Sequence, residues 1–177
     1  KQILKIITSK TQNNKIFYQK HMTHHIIKNT RLDWLNNGYN CFLIRHPAKV
    51  INSYIKKNNL LSIDDIGFKK QYEIFNMIKK DKIKYLVVNA DTILQDPLKT
   101  LKKLCKILNI KYTKKMMNWP KGKRSSDGIW SKVWYKNVEL SNSFSRFKKE
   151  KYNVPKKYND IYEESLKYYN EMNQYTI

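Results

Sequence analysis

Apolar positions along this chain follow two periods. Short unbroken runs, Ile16-Phe17-Tyr18, Cys41-Phe42-Leu43-Ile44 and Tyr85-Leu86-Val87-Val88, have the length of strands buried on both faces. Between and after them the spacing becomes helical. Ala48, Ile51 and Ile55 share a face, as do Phe68, Tyr72, Phe75 and Ile78, reached through Asp64-Asp65, a pair suited to capping a helix start. Asp96-Pro97 puts an N-cap residue before a proline at the first helical position, and Leu98, Leu101, Leu104, Cys105 and Leu108 follow at helical intervals. Ile3, Leu4, Ile6 and Ile7 read as the tail of another helix. Tyr162, Leu166 and Tyr169, with Glu163 and Lys167 paired at i, i+4, read as a last helix from about Asp160. Strands alternating with helices predict an α/β fold with a parallel sheet and right-handed crossovers.

Residues 118–136 break both periods. They carry three of the four Trp, two of the four Gly and the basic knot Lys121-Gly122-Lys123-Arg124, and so read as a loop with contents. No repeat or low-complexity linker divides the chain, and a single domain over 1–177 is expected. Six Phe, thirteen Tyr and four Trp exclude a solvated coil. The run Cys41–Ile44 is far short of the roughly 18 residues of a membrane span, and no signal peptide opens the sequence. A soluble, cytoplasmic protein with no membrane partner is the expectation. Cys41 and Cys105 form no spaced framework and are expected as reduced, buried thiols, with no metal bound through them.

Charge adds one alternative. A net charge of +22 invites nucleic acid, through phosphate neutralisation, and the Lys/Tyr-interleaved stretch from Phe147 to Tyr169 offers rings on which bases could stack. Yet of 36 basic residues only four are Arg, while Lys, Asn and Ile are all abundant, the mark of a coding bias that fills solvated faces with Lys. Phosphate recognition prefers the paired donors of Arg. No specific nucleic acid is therefore expected, and the Arg positions are the informative ones.

In an open parallel sheet ligands gather where strands end and helices begin, because peptide N–H groups and the helix dipole point there. Arg45 closes the second apolar run, and His46-Pro47 then opens a helix bearing Ser53. Ser53 lies roughly 9 Å along the axis from Pro47 at about 1.5 Å per residue, so one phosphate meets both Arg45 and Ser53 only from beside the helix. The spacing alone also fits an exposed Arg and a helix-face Ser.

Phe42-Leu43-Ile44-Arg45-His46-Pro47-Ala48-Lys49-Val50-Ile51-Asn52-Ser53-Tyr54 resembles the 3′-phosphate motif of sulfotransferases that use 3′-phosphoadenosine 5′-phosphosulfate. Val87-Val88-Asn89-Ala90-Asp91-Thr92-Ile93-Leu94-Gln95-Asp96-Pro97 is similar to that family's later strand, acidic turn and helix start. Tyr18-Gln19-Lys20-His21-Met22-Thr23-His24-His25 and Asn118-Trp119-Pro120-Lys121-Gly122-Lys123-Arg124, followed by Asp127-Gly128-Ile129-Trp130, resemble a bacterial branch of sulfotransferase-like proteins, some linked to aminotransferases. The resemblance covers roughly residues 16–146.

The resemblance implies a three-layer, P-loop-like fold, a parallel sheet flanked by helices, and transfer of a sulfuryl group from 3′-phosphoadenosine 5′-phosphosulfate to a hydroxyl or amine of a small-molecule or carbohydrate acceptor. It assigns Arg45 and Ser53 to the 3′-phosphate, and Lys121, Gly122, Lys123 and Arg124 to a basic loop within 118–146 that closes over it, before a helical segment over 147–177. Lys20 matches the Lys beside the sulfuryl group. The family's base His follows that Lys by two positions, where this chain has Met22, so His21, His24 and His25 all stand as candidates. A helix from Met22 would put His21 and His25 on one face. Zinc held by the three His finds no Cys or carboxylate close by in sequence. The family's usual Gly-Asp-Trp-Lys order appears here as Asp127-Gly128-Ile129-Trp130-Ser131-Lys132, and the four glycines are isolated, so no phosphosulfate-cradling loop is found. Since Lys1 is not Met, that loop is expected upstream of it. A non-catalytic remnant of the fold is the alternative.

Overall fold

The computed structural model describes residues 16–26, 29–125, 127–128, 131, 135–149 and 151–177. In chain order its strands and α-helices are β1 (Asn40–Ile44), α1 (Pro47–Tyr54), α2 (Phe68–Lys80), β2 (Tyr85–Asn89), α3 (Ala90–Gln95), α4 (Pro97–Ile107), α5 (Lys136–Leu140) and α6 (Asn159–Asn173). The helix tail expected over residues 2–9 lies outside the described residues. By its internal contacts the chain divides into two compact units, residues 1–89 with 151–176, and residues 90–150 with 177.

The first unit is a β–α–β arrangement closed by α6. β1 and β2 pair in parallel, with Asn40 opposite Tyr85 and Ile44 opposite Asn89, so both strands end at the same level. Val87 also bridges to Thr176. Phe42, Ile44 and Val87 of the strands meet Ile74, Phe75 and Ile78 of α2 and Met172 of α6 in one buried cluster. Phe75 is its centre, edge-on to Phe42 and Tyr85 at ring separations of 5.7 and 5.3 Å. Burying side chains of this size contributes about 1.5–3 kcal/mol each.

Parallel strand pairing within an α/β chain agrees with the sequence reading, while three details differ. Ile16-Phe17-Tyr18 forms no strand: the segment is irregular and exposed, Tyr18 to 80%. Three apolar residues specify a strand only where a neighbour receives their backbone groups. β1 is buried on one face, through Phe42 and Ile44, and open on the other, where Leu43 is 60% exposed and Cys41 is exposed. Of the two expected buried thiols only Cys105 is buried. Finally, among the described residues the sheet has two strands.

The second unit is mostly helical. α3 follows β2 directly, where an acidic turn was expected. Asp96 caps α4 as the sequence indicates, accepting from the Lys99 N–H at 2.9 Å with Pro97 at the first position. Thr100 Oγ1 ties α4 back to the Thr92 carbonyl. Cys105 is buried on the same helix, but Leu98 is 42% exposed.

Two local devices fix the first unit. Gly67 ends a 3-10 turn (Ile63–Ile66) at φ +69°, a region open to glycine at little cost, and its carbonyl accepts from Thr23 Oγ1 at 3.1 Å. A Cβ there would stand 2.7 Å from that hydroxyl and 3.1 Å from the His24 nitrogen. At the end of β2 the buried Asn89 donates through Nδ2 to the Tyr169 hydroxyl at 2.9 Å and to Asn173 Oδ1 at 2.8 Å. Gly67→Ala is expected to cost about 1–2 kcal/mol through its left-handed backbone alone. Asn89→Ala is expected to cost about 1–3 kcal/mol by leaving α6 partners unpaired. Thermal unfolding followed by circular dichroism should show both as a Tm lowered by several degrees.

Candidate functional site

Arg45 and His46 follow directly on the level at which β1 and β2 end together. Arg45 leaves the end of β1 with its side chain exposed, and the chain turns into α1 through His46 and Pro47. Pro47 has no N–H to lose at the first helical position and disfavours helical backbone at His46, which takes φ −52° and ψ 129°. The helix buries Pro47, Ala48 and Ile51. Ser53, half a turn from that stripe, is therefore exposed, on the same face as Lys49 one turn earlier. Arg45 thus precedes α1 and Ser53 lies near the other end of that helix, both with exposed side chains. A polar cleft of about 410 Å³, lined by Asn36, Asn37, Gly38 and Asp81 to Lys84, lies at the other ends of the strands and takes in none of the expected site residues.

His46 sits between Arg45 and this helix, and sequence reasoning passed over it. Its Nδ1 accepts from the Ala48 N–H at 3.3 Å, and its ring lies flat on Tyr152, 3.6 Å between centroids with 9° between planes. Tyr169 meets it edge-on at 5.5 Å. The signal available in sequence was a polar residue immediately before a helix-opening proline, the ordinary place of a cap.

Lys20 and the three histidines lie on the segment before β1. Lys20 and His21 are exposed. The helix expected from Met22 is a 3-10 turn, Thr23–His25, and this undoes the pairing of His21 with His25. His21 instead packs on Trp34 at 4.7 Å and donates through Nε2 to Gln19 Oε1 at 3.0 Å. His24 and His25 face each other, edge to face, at 4.2 Å. His24 and His25 are exposed overall, yet partial desolvation, and then the neighbouring His25, hold the His24 imidazole below the usual histidine range, with Asp65 pulling the other way. Asp65 itself is engaged by the backbone N–H groups of Leu61 and Ser62. Among the described residues no three His, Cys, Asp or Glu side chains gather as a metal ion would need.

The basic turn belongs to the second unit. Lys121, Gly122, Lys123 and Arg124 are all exposed. Gly122 takes φ +99°, and its N–H donates to the Glu139 carbonyl at 2.8 Å, while the Arg124 N–H donates to Asp127 Oδ2 at 2.9 Å. Those two amides hold the turn in shape, so its exposed cations are what it offers a ligand. Trp119 anchors the loop, edge-on to Phe144 at 5.3 Å and donating to Ser141 Oγ at 3.1 Å. Ile129, Trp130 and Lys132, which carry the altered motif order, lie outside the described residues.

A family model described as a sulfotransferase domain matches residues 2–176. The chain belongs to the sulfotransferase-domain family. Branched-chain-amino-acid aminotransferase-like protein 1 of Arabidopsis thaliana is 29% identical over 168 residues, which is 95% of this sulfotransferase-domain chain and 30% of that protein. Branched-chain-amino-acid aminotransferase-like protein 2 of the same plant is 26% identical over 88% of this chain and 28% of its own length. The chain thus spans about three-tenths of the curated relatives it matches. No solved structure matches it. No helix among the described residues is long and apolar enough to cross a membrane.

The histidine pair of this sulfotransferase domain has a titration signature. Proton NMR should find the His24 midpoint below about 6.5, rising in His25→Gln, which removes a repelling partner, and falling further in Asp65→Asn. Because the unfolded chain protonates His24 more readily than the folded one, its contribution to stability should decline as pH falls below about 6.5.

Proposed function

We propose that this domain transfers a sulfuryl group from 3′-phosphoadenosine 5′-phosphosulfate to a hydroxyl or amine acceptor, on a P-loop-like fold. The observation that carries the reading is a guanidinium, Arg45, at the carboxyl end of a parallel strand and immediately before a helix N-terminus. Both the strand end and the helix dipole favour an anion at that corner. Arg45 and Ser53 would take the 3′-phosphate, Arg45 through two parallel N–H donors and Ser53 through its hydroxyl. By resemblance, the family's basic loop would fall on Lys121, Gly122, Lys123 and Arg124.

In the transfer the acceptor oxygen or nitrogen attacks sulfur in line. The bond between sulfur and the bridging oxygen breaks, and its electron pair leaves with the 5′-phosphate of 3′-phosphoadenosine 5′-phosphate. Lys20 would stabilise that developing charge. The acceptor proton passes to a histidine among His21, His24 and His25. The surroundings of His24 favour its neutral, proton-accepting form. Aminotransferase chemistry, which the relatives' names carry, is said of proteins more than three times as long. A hydroxylated small molecule, a carbohydrate or a peptide each fits the acceptor role.

Calorimetric titration with 3′-phosphoadenosine 5′-phosphate tests the donor site. Arg45→Ala should weaken binding by about 1.5–3 kcal/mol, roughly ten- to a hundredfold, the worth of a hydrogen bond to a charged group. Adenosine 5′-monophosphate, lacking the 3′-phosphate, should bind both proteins alike. Equal affinity of the two proteins for 3′-phosphoadenosine 5′-phosphate overturns the reading, and tight, sequence-selective oligonucleotide binding in its place would favour a nucleic-acid partner.

A further inference from the structure

We infer that His46 is a positioning residue for the anion site, setting the direction in which Arg45 leaves the strand; this rests on Arg45 being the phosphate ligand. Arg45 itself lies outside regular structure, between Ile44, the last residue of β1, and Pro47, the first of α1. The direction of its Cα–Cβ bond is therefore set by the two peptide units that flank it. The unit before it is fixed by the β1–β2 ladder. The unit after it is fixed by His46, at three points.

The main chain of His46 starts the helix, its carbonyl accepting from the Lys49 N–H at 3.0 Å and the Val50 N–H at 3.3 Å. Its imidazole accepts the Ala48 N–H at Nδ1, which requires an unprotonated Nδ1. Its ring face is clamped by Tyr152, and its edge meets Tyr169. Tyr152 is steadied in turn, since Asn52 Nδ2 of α1 donates to the carbonyl of the next residue, Asn153, at 2.8 Å. Tyr169 is steadied by Asn89, the residue paired with Ile44 across the sheet. His46 therefore joins the ends of both strands to the start of α1, and Arg45 is the adjacent residue. A cap alone would need only a short polar side chain. The flat stacking on Tyr152 adds a constraint on ring orientation that a cap does not require.

Titration with 3′-phosphoadenosine 5′-phosphate, with Tm recorded for each protein, separates positioning from mere support. His46→Ala removes both cap and ring and should raise Kd about five- to tenfold in protein that remains folded at the titration temperature. His46→Asn keeps a capping acceptor and should return Kd to within about threefold of wild type. Tyr152→Leu removes the ring partner while leaving His46 in place and should raise Kd about threefold. A lowered Tm with Kd unchanged in His46→Ala and in Tyr152→Leu makes His46 a structural cap and overturns the inference. An Asn variant as weak as the Ala variant puts the effect in the ring: it supports the inference if Tyr152→Leu also raises Kd and overturns it if Tyr152→Leu does not. If His46→Ala does not fold, Tyr152→Leu decides: an unchanged Kd overturns the inference and a raised one supports it. Arg45→Ala, run alongside, keeps the two readings apart. If it binds as wild type does, the donor-site reading itself has failed; if it loses binding while both His46→Ala and Tyr152→Leu do not, only the positioning role has.

Discussion

Parallel strands that end at the same level are the constraint from which the first unit is built. Pairing Ile44 with Asn89 delivers a charged turn, Arg45-His46, and a buried amide, Asn89, to one edge of the sheet. A buried amide must find partners or cost about 1–3 kcal/mol, and the partners it finds are Tyr169 and Asn173, one turn apart on α6. α6 is held against the sheet by that requirement as well as by Met172 in the core. Once α6 is there, the Tyr169 ring is beside His46, and the turn carrying Arg45 is no longer free. Apolar burial supplies most of the energy of the unit; a single polar side chain supplies much of its geometry.

The elements read best from the sequence were those whose period repeats often enough to be self-evident. Phe68, Tyr72, Phe75 and Ile78 mark four successive turns of α2, and three of the four are buried while Tyr72 packs against the cluster. Asp96-Pro97 was legible because capping is a contact between residues three apart. Ile16-Phe17-Tyr18 misled because hydropathy reports what a residue would gain by burial and not whether anything is there to cover it. β1 misled in the same way, since its Leu43 is as apolar as its buried neighbours. At the site, Arg45 could be marked as a candidate because its position is set by the elements on either side. His46 could not be weighed, because the ring that clamps it comes from Tyr152, in a segment joined to α1 across 101 residues by the Asn52–Asn153 bond.

The cations of this domain are arranged in two ways. At the strand–helix corner the main chain on either side of Arg45 is held, by the β1–β2 ladder before it and by the start of α1 after it. In the basic turn, backbone bonds from Gly122 and Arg124 set the loop while the side chains extend outward. The first arrangement favours recognition of one oxyanion geometry, and the second favours general attraction of negative charge. The abundance of Lys over Arg in the sequence adds to the second far more than to the first.

The closure of the strand pair by α6 also bears on how the chain is made. Asn89 and Tyr169 are 80 residues apart. At ribosomal speeds of about 5–20 residues per second, the end of β2 is synthesised roughly 4–16 s before Tyr169 of the helix that covers it. During that interval the paired strands lack the cover that α6 later supplies, and part of their apolar surface stays open to other nascent chains. The net charge of +22 then works against association of neighbouring copies until the last helix arrives.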